Sequence, residues 1–571
     1  MARPRRNAAR ASTPTPDHAS EYTRKRSLSS RSNKSRKRVP TSPDSDSSLT
    51  SLSDSDDEPV TKRARGTKAV APSVDVLDME DNELFQSVLR SDGIEEASEN
   101  WIVAYQGEPH ESLAQLVTFL FRLCGCTATI TSDEVQDSEH VDDVLERIQD
   151  EFAQHLHSQY PIVSRSKSLK NIRKHAALLI KKIFSDASEA ELLSDEDFLD
   201  TWQQWLLAMS VSSLRSFRHT SSLVAMWTIG AFSHELEQVR ENYDVAVRQR
   251  DAEAKRQSAN RTRLVHTAHK MEQLDSLRES LDAHLDDYVK HVFSPRSRDF
   301  DALVRLDCVD QLGSWMKEFP TQYLQEYYLR HVGAALSDPD VTVRLHALRS
   351  IKNVLVPEHA IQLVSFSETH KSRMVDMALY DVDLGVRTTA FAVLESANEL
   401  DMLSNDDRAA LAVHIFDLES RIRAAAAAFL NGLLQNHVAA KMQDNTSDES
   451  IVRVHCLVKL LSHYTQQLNA GTDDLDSDKL SLIEPGLGRV SVAFEALWDT
   501  TDSLHAWKPY IDILILDEGD YELVADEEAV AVEILAMCVH LVKERTDPDS
   551  DETAWEECSV YLIHALPKLL A

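Results

Sequence analysis

The sequence predicts an all-α protein built largely from helical repeats. Three observations carry that reading. Glycine is scarce, 13 of 571 residues, a poor supply for the tight turns and phosphate loops of nucleotide-binding α/β enzymes. From about residue 80 the apolar residues recur at helical spacing, with little strand-like alternation. In the second half, a Val-Arg or Ile-Arg dipeptide opens one amphipathic segment after another. A chain of this length exceeds one ordinary core, so several domains or an extended array are expected.

Residues 1–72 form the first region, a basic, Ser-rich tail. They hold 16 Lys/Arg and 8 Asp/Glu and almost no large apolar residue. Such a segment buries too little surface to offset its ordering entropy, so disorder is expected. Arg24-Lys25-Arg26, Lys34–Arg38 and Lys62–Arg65 read as nuclear-import signals. Thr13-Pro14, Thr15-Pro16, Ser42-Pro43 and the acidic run Ser53–Glu58 read as weak phosphorylation motifs. The whole chain carries −33. A basic tail therefore precedes a strongly acidic body, and any anion-binding site on that body must be a local patch. No apolar run approaches the ~18–20 residues that span a membrane, and no apolar stretch follows the basic N-terminus as in a secretion signal. A soluble, reducing-compartment protein is expected; six cysteines in this length make no disulfide scaffold.

Residues 73–232 read as an N-terminal helical domain. Leu84, Phe85, Val88 and Leu89 begin the helical period, and Leu113, Leu116, Val117, Leu120 and Phe121 continue it. Trp202, Trp205, Leu206, Met209, Met226 and Trp227 are expected in its core. Residues 233–291 lack Gly and alternate charges with sparse apolar positions, which predicts two antiparallel helices turning near Ser258–Asn260. Leu264, Met271, Leu274, Leu277, Leu281 and Leu285 supply the seam of the second, and Arg248, Arg250, Lys255, Arg256, Arg261 and Arg263 make the tip basic.

Residues 292–380 and 381–571 carry the repeat. Val304-Arg305, Val343-Arg344, Val386-Arg387, Ile422-Arg423 and Val452-Arg453 mark its units. Asp340, Asp383 and Glu419 precede three of them, and Ala347, Ala390 and Ala426 follow. This is the pattern of HEAT-type repeats, with a period of ~40–47 residues. There an acid and an arginine ladder neighbouring units, and each unit buries its apolar face only by stacking on the next.

No phosphate loop, zinc-binding helix, nucleophile elbow or paired catalytic carboxylate is found. Cys124 and Cys126 stand without a second pair and read as core, not as zinc ligands. His155 and His157 carry no argument in a chain with 23 histidines. Neither an enzyme nor a bound cofactor or metal is expected. The most informative local feature is residues 165–182, with seven basic residues and no acid. At 100° per residue, Lys167, Lys170, Lys174 and Lys181 share one helical face, opposite Leu169, Ile172, Ala176, Leu179 and Ile183. The apolar face docks and the lysines form a stripe suited to successive phosphates, without base readout. Arg173, and Arg215 and Arg218 in the acid-free stretch 201–234, extend the candidate DNA-binding surface.

Several longer motifs resemble a known family. Arg215-Ser-Phe-Arg-His-Thr-Ser-Ser-Leu-Val-Ala-Met226, Glu83-Leu-Phe-Gln86, Trp101–Tyr105 and Phe121–Cys126 resemble signatures of the cohesin Scc3/SA (STAG, stromalin) subunits. Gly313–Pro320, Tyr328–Gly333 and Val343–Leu345 resemble the family's stromalin conservative domain. The resemblance runs over roughly residues 80–400. It implies a hook-shaped, non-enzymatic HEAT scaffold in the nucleus, on chromatin. Its implied partners are duplex DNA, the kleisin subunit and SMC ring of cohesin, and loading, release and protection factors. It also implies a partner groove at Arg298, Asp299, Glu326, Leu329 and Arg330. Two positions depart from the family: Ser297 stands where an aromatic is usual, and Ala334 where tryptophan is. Losing that tryptophan removes a stacking surface for aromatic anchors. The chain also stops several hundred residues earlier than family members usually do. Residues 381–571 are therefore expected to hold only part of the repeat array. The competing reading is a HEAT-type transport receptor or phosphatase scaffold, which needs no phosphate contacts.

Deleting residues 1–72 is expected to reduce nuclear accumulation of a fluorescently tagged chain; unchanged accumulation would remove the import role from the tail.

Overall fold

The computed structural model describes residues 81–569, apart from 91–92, 138–139, 154–159, 257–259, 445–447, 471–487, 516–520 and 546–551. The chain divides into two units, Met1–Ala69 and Val70–Ala571, and all the described residues belong to the second. The tail with its import and phosphorylation motifs lies outside the described residues, as do His155 and His157. No strand occurs among the described residues, and helices succeed one another from Glu83 to Leu569.

The N-terminal helices Glu83–Arg90, Ile94–Gly107 and Pro109–Cys124 pack with helices Ile172–Glu189 and Glu196–Ser210. Their shared core takes in Trp202, Trp205, Leu206, Met209 and Met226. Cys124 and Cys126 are buried within it as free thiols. The end of Pro109–Cys124 is fixed by Arg122, which is wholly buried. It pairs with Asp81 at 2.6 Å and donates to the Cys126 and Ala128 carbonyls at 2.7 Å.

The hairpin is longer than its charge pattern suggests. Its first helix runs unbroken from Arg215 to Ala254, so position 232/233 falls inside a helix and not at a boundary. What changes is burial, a few residues further on, from a nearly enclosed segment ending at Leu236 to a largely exposed one. The return helix Arg261–Tyr288 starts at Asn260, whose side chain accepts the Thr262 and Arg263 amide protons. Of its seam, Leu281 and Leu285 are buried and Met271 nearly so, whereas Leu264, Leu274 and Leu277 are half-buried. At the tip, Glu253 is buried and pairs with Arg256 at 2.8 Å and Arg263 at 3.9 Å, which offsets part of the tip's positive charge.

The repeats beyond the hairpin are joined by a ladder of ion pairs. Helices Ala302–Glu318, Val341–Val354, Leu384–Glu399 and Ser420–Asp444 lie side by side in sequence order. Arg305 pairs with Asp338 at 2.7 Å, Arg344 with Asp381 at 2.8 Å and Arg387 with Asp417 at 2.6 Å. The rung acids are therefore not Asp340, Asp383 and Glu419, as the spacing suggested, but residues two positions earlier. Asp340 and Asp383 cap their own helices. Each rung acid also accepts the amide proton two residues on, of Asp340, Asp383 and Glu419 respectively. That Asx turn holds the carboxylate facing the previous helix's arginine. Burial raises the cost of charge on Asp417, but bonds from His414, the Glu419 amide and Arg387 hold its pKa below the ordinary value.

The ladder begins one unit earlier than the Val-Arg motif indicates. Arg218 pairs with Asp299 at 3.1 Å, and Asp299 accepts the Asp301 amide proton. Arg218, Arg305 and Arg344 also each donate to the two carbonyls six and five residues behind them. At the other end, Arg453 pairs with Glu449 on its own helix and makes no rung among the described residues. Ala347, Ala390 and Ala426 are fully buried, and a Cβ on Gly313 would collide with Ser350 Oγ, so neighbouring helices meet closely at small residues.

Asp381→Ala should destabilise the array by about 3–5 kcal/mol, because it strands the buried Arg344 charge. An Arg344→Met/Asp381→Leu pair should recover most of that loss, both changes being read from denaturant midpoints.

Candidate nucleic-acid interface

The basic segment is placed by its apolar residues. Leu169, Ile172, Ala176, Leu179 and Ile183 are all buried against the N-terminal core. The regular helix, however, starts only at Ile172, with Asn171 before it. Lys167 lies in a short 3-10 turn, Lys167–Leu169, and Lys170 in the turn that comes next. The four lysines are thus not one helical stripe, since Lys167 and Lys170 stand on the approach and Lys174 and Lys181 on the helix. All four are exposed and make no ion pair among the described residues. The half-exposed Leu178 lies between Lys174 and Lys181 on the same face.

The three arginines behave differently. Three carboxylates at the start of the repeat array meet them like the teeth of a comb. Asp299 takes Arg218, Asp301 takes Arg215, and Asp307 takes Arg173 at 2.5 Å. Arg218 is 3% exposed, and its guanidinium lies 4.3 Å from the centre of the Phe300 ring. As the first rung of the ladder it is no surface contact, and the assignment of Arg218 to DNA is corrected. Arg173 and Arg215 remain partly exposed, but both already have an acid partner. The motif reading missed these acids because they lie some 80 to 130 residues away in sequence; the Asp-x-Asp spacing of Asp299 and Asp301 ahead of the Val-Arg motif was the available signal for two of them, and Asp307 had none.

Asp307 also anchors a sealed polar chain. In the neutral tautomer, His219 donates from Nε2 to Asp307 at 2.7 Å and accepts at Nδ1 from Tyr160 at 2.5 Å. Burial opposes charge on Asp307, yet His219 and Arg173 hold its pKa below the ordinary value. The order Tyr-His-Asp resembles a catalytic relay. Tyr160 is 4% exposed, however, so no substrate reaches the hydroxyl, and the chain ties the residue ahead of the Pro161–Val163 turn to two helices. Among the described residues no group of His, Cys, Asp or Glu is disposed to hold a metal ion, and no helix is long and apolar enough to cross a membrane.

The partner candidates divide too. Arg298, Glu326 and Arg330 are exposed, whereas Asp299 and Leu329 are buried. Asp299 is held by Arg218 and by Arg296 at 2.6 Å, so these two residues support the surface and do not form it. The Arg330 guanidinium lies 4.2 Å over the Tyr327 ring, an exposed aromatic that motif comparison did not single out. Ser297 donates to the Ser294 carbonyl, and its hydroxyl meets Nδ1 of the buried His331 at 3.1 Å. Ala334 is exposed.

Residues 158–270 match the STAG domain, and residues 298–371 match the stromalin conservative domain. The fold and these two domains define a helical-repeat scaffold in which an N-terminal domain with a local basic segment is locked by ion pairs to the first repeats. In these two domains and in its fold the chain is similar to the cohesin Scc3/SA subunits. It is 27% identical over 344 residues to the cohesin subunit psc3 of Schizosaccharomyces pombe, covering 60% of this chain and 36% of that one. It is 23% identical over 480 residues to the human cohesin subunit SA-3, covering 82% and 37%. The cohesin subunit Scc3 from Z. rouxii shares the fold, with a TM-score of 0.70 at 20% identity over 86% of this chain and 60% of that one. The chain spans about a third of the length of the curated relatives it matches.

His331 supplies a pH signature for this region. Burial, with Arg330 and Arg298 nearby, pushes its pKa down from 6.5 to about 4. Between those values the unfolded chain binds a proton that the folded one does not, so stability falls as pH drops through that window. At pH 5 the loss should be about 1–2 kcal/mol relative to pH 7.5. Chemical denaturation of wild type beside His331→Asn checks this, the variant losing less.

Proposed function

We propose that this chain is a non-enzymatic subunit of the cohesin complex, acting at chromosomes in the nucleus in sister chromatid cohesion. On this reading its basic N-terminal surface grips duplex DNA. Its repeats dock the kleisin subunit, and through it the SMC ring, together with loading, release and protection factors. The observation that carries the DNA part is the set Lys167, Lys170, Lys174 and Lys181. These are exposed cations without ion partners among the described residues, on a segment anchored by buried apolar residues, in a chain of net charge −33. Neutralising the long-range repulsion of such a body toward DNA requires a local cationic patch, and this is one. From Lys174 to Lys181 the helix rises about 10 Å, enough to meet several phosphates of a duplex that carries one charge per ~1.7 Å. Lysines reach phosphates as point charges, so the contact is independent of sequence. The exposed group Arg298, Tyr327 and Arg330 supports a second, protein-docking role for the stromalin domain.

With four lysines engaged, duplex affinity should fall on the order of 10²-fold between 50 and 200 mM salt. The triple variant Lys167→Glu/Lys170→Glu/Lys174→Glu should lose most binding while keeping its helical circular dichroism. Binding indifferent to the variant would move the DNA contact elsewhere, and no binding at all would favour a protein scaffold without one.

A further inference from the structure

We propose that Asp301 and Asp307 act as counter-ions that set how many cations the basic surface offers to DNA, withholding Arg215 and Arg173 from phosphate. The inference rests on the proposed DNA binding and deepens it. Both arginine side chains are visible to solvent, 44% exposed for Arg215 and 43% for Arg173, while their partners are largely covered, 13% for Asp301 and 6% for Asp307. An arginine exposed to this degree looks, by position alone, like a phosphate contact. Its charge is already spoken for. Handing it to a phosphate exchanges one anion for another and leaves a covered carboxylate without its arginine, so little is gained. Lys167, Lys170 and Lys174 lack such a partner, and Lys181 makes no ion pair although the buried Glu235 lies near it; only unmatched cations displace the counter-ions condensed on DNA.

The two acids are held in place independently of the arginines. Asp301 Oδ1 accepts the Leu303 amide proton at 3.0 Å and caps helix Ala302–Glu318, leaving Oδ2 for Arg215 Nε. Asp307 Oδ2 is bound to His219 at 2.7 Å, leaving Oδ1 for Arg173. His219 lies one helical turn after Arg215, so both pairs belong to one seam between the STAG region and the first repeat. In that arrangement the stromalin domain trims the cationic surface of its neighbour. Asp301 is a positioning residue: it meets no DNA itself and acts through Arg215.

The test separates the cap from the charge. Asn caps helices about as well as Asp, so Asp301→Asn keeps the helix start and removes only the negative charge. In the full-length chain with a fluorescent duplex, Asp301→Asn should steepen the dependence of log affinity on log salt by about 0.9. Its advantage over wild type should therefore shrink about 3-fold between 50 and 200 mM salt. Arg215→Gln alone should leave the wild-type slope unchanged, and Asp301→Asn/Arg215→Gln should return to it. A slope unaltered by Asp301→Asn would overturn the inference, as would a steeper slope that survives loss of Arg215, since that would be a general charge effect. A wild-type slope reduced by Arg215→Gln would overturn it too, by showing that the arginine already contacts phosphate. Failure of the underlying DNA proposal is recognised separately, by wild type and the triple lysine variant binding alike.

Discussion

The arrangement of this protein depends on one repeated interaction. An arginine early in each of four helices reaches forward to an aspartate before the next helix of the array, and at most rungs back to two carbonyls behind its own. The aspartate is pre-set by a turn that ties it to the amide two residues on. Four rungs, at Arg218, Arg305, Arg344 and Arg387, repeat this logic. Buried ion pairs of this kind add little net stability over apolar substitutes, because desolvation cancels most of the attraction. Stability comes from apolar surface buried between helices, such as Trp315, Val343, Leu348 and Val386. The rungs contribute register, since an arginine shifted by one residue would leave two charges unpaired in a dry interface.

The first rung has consequences for the surface. Because Arg218 belongs to the long helix and Asp299 to the start of the stromalin domain, the ladder reaches back into the STAG domain and fastens the two together. The same junction brings Asp301 and Asp307 against Arg215 and Arg173, and through His219 against Tyr160. Electroneutrality at a packed interface thus consumes the arginines, which suit fixed planar pairing. The lysines stay in water, where their flexible, strongly hydrated ammonium groups are cheaply kept. Lys182, paired with Asp186 at 2.6 Å, shows that position as well as side-chain type decides which cations remain available.

Much of this is legible in the sequence. The periodicity of Leu84–Leu89 and Leu113–Phe121, the tryptophan-rich core and the apolar face Leu169–Ile183 rest on local spacing, and all are buried as that spacing requires except Leu89, which is half-buried. The start of the basic helix is not. Its charge pattern runs continuously through Lys167 and Lys170, but the backbone turns before Ile172. The acids beside the Val-Arg motif are misleading in the same way, because Asp340 and Asp338 are indistinguishable in composition and differ only in which way a turn points them.

Local composition and period therefore determined the helices, the repeat and the basic segment, since hydrophobic spacing within a few turns decides which face of a helix is buried. Tertiary structure alone decided which charges remain available. Arg215 and Arg218 are three residues apart and chemically identical. One is buried under Phe300 as the first rung, and the other stands half in solvent with Asp301. The difference comes from carboxylates more than 80 residues distant, and a pairing made across packed helices leaves no trace in the spacing of either partner.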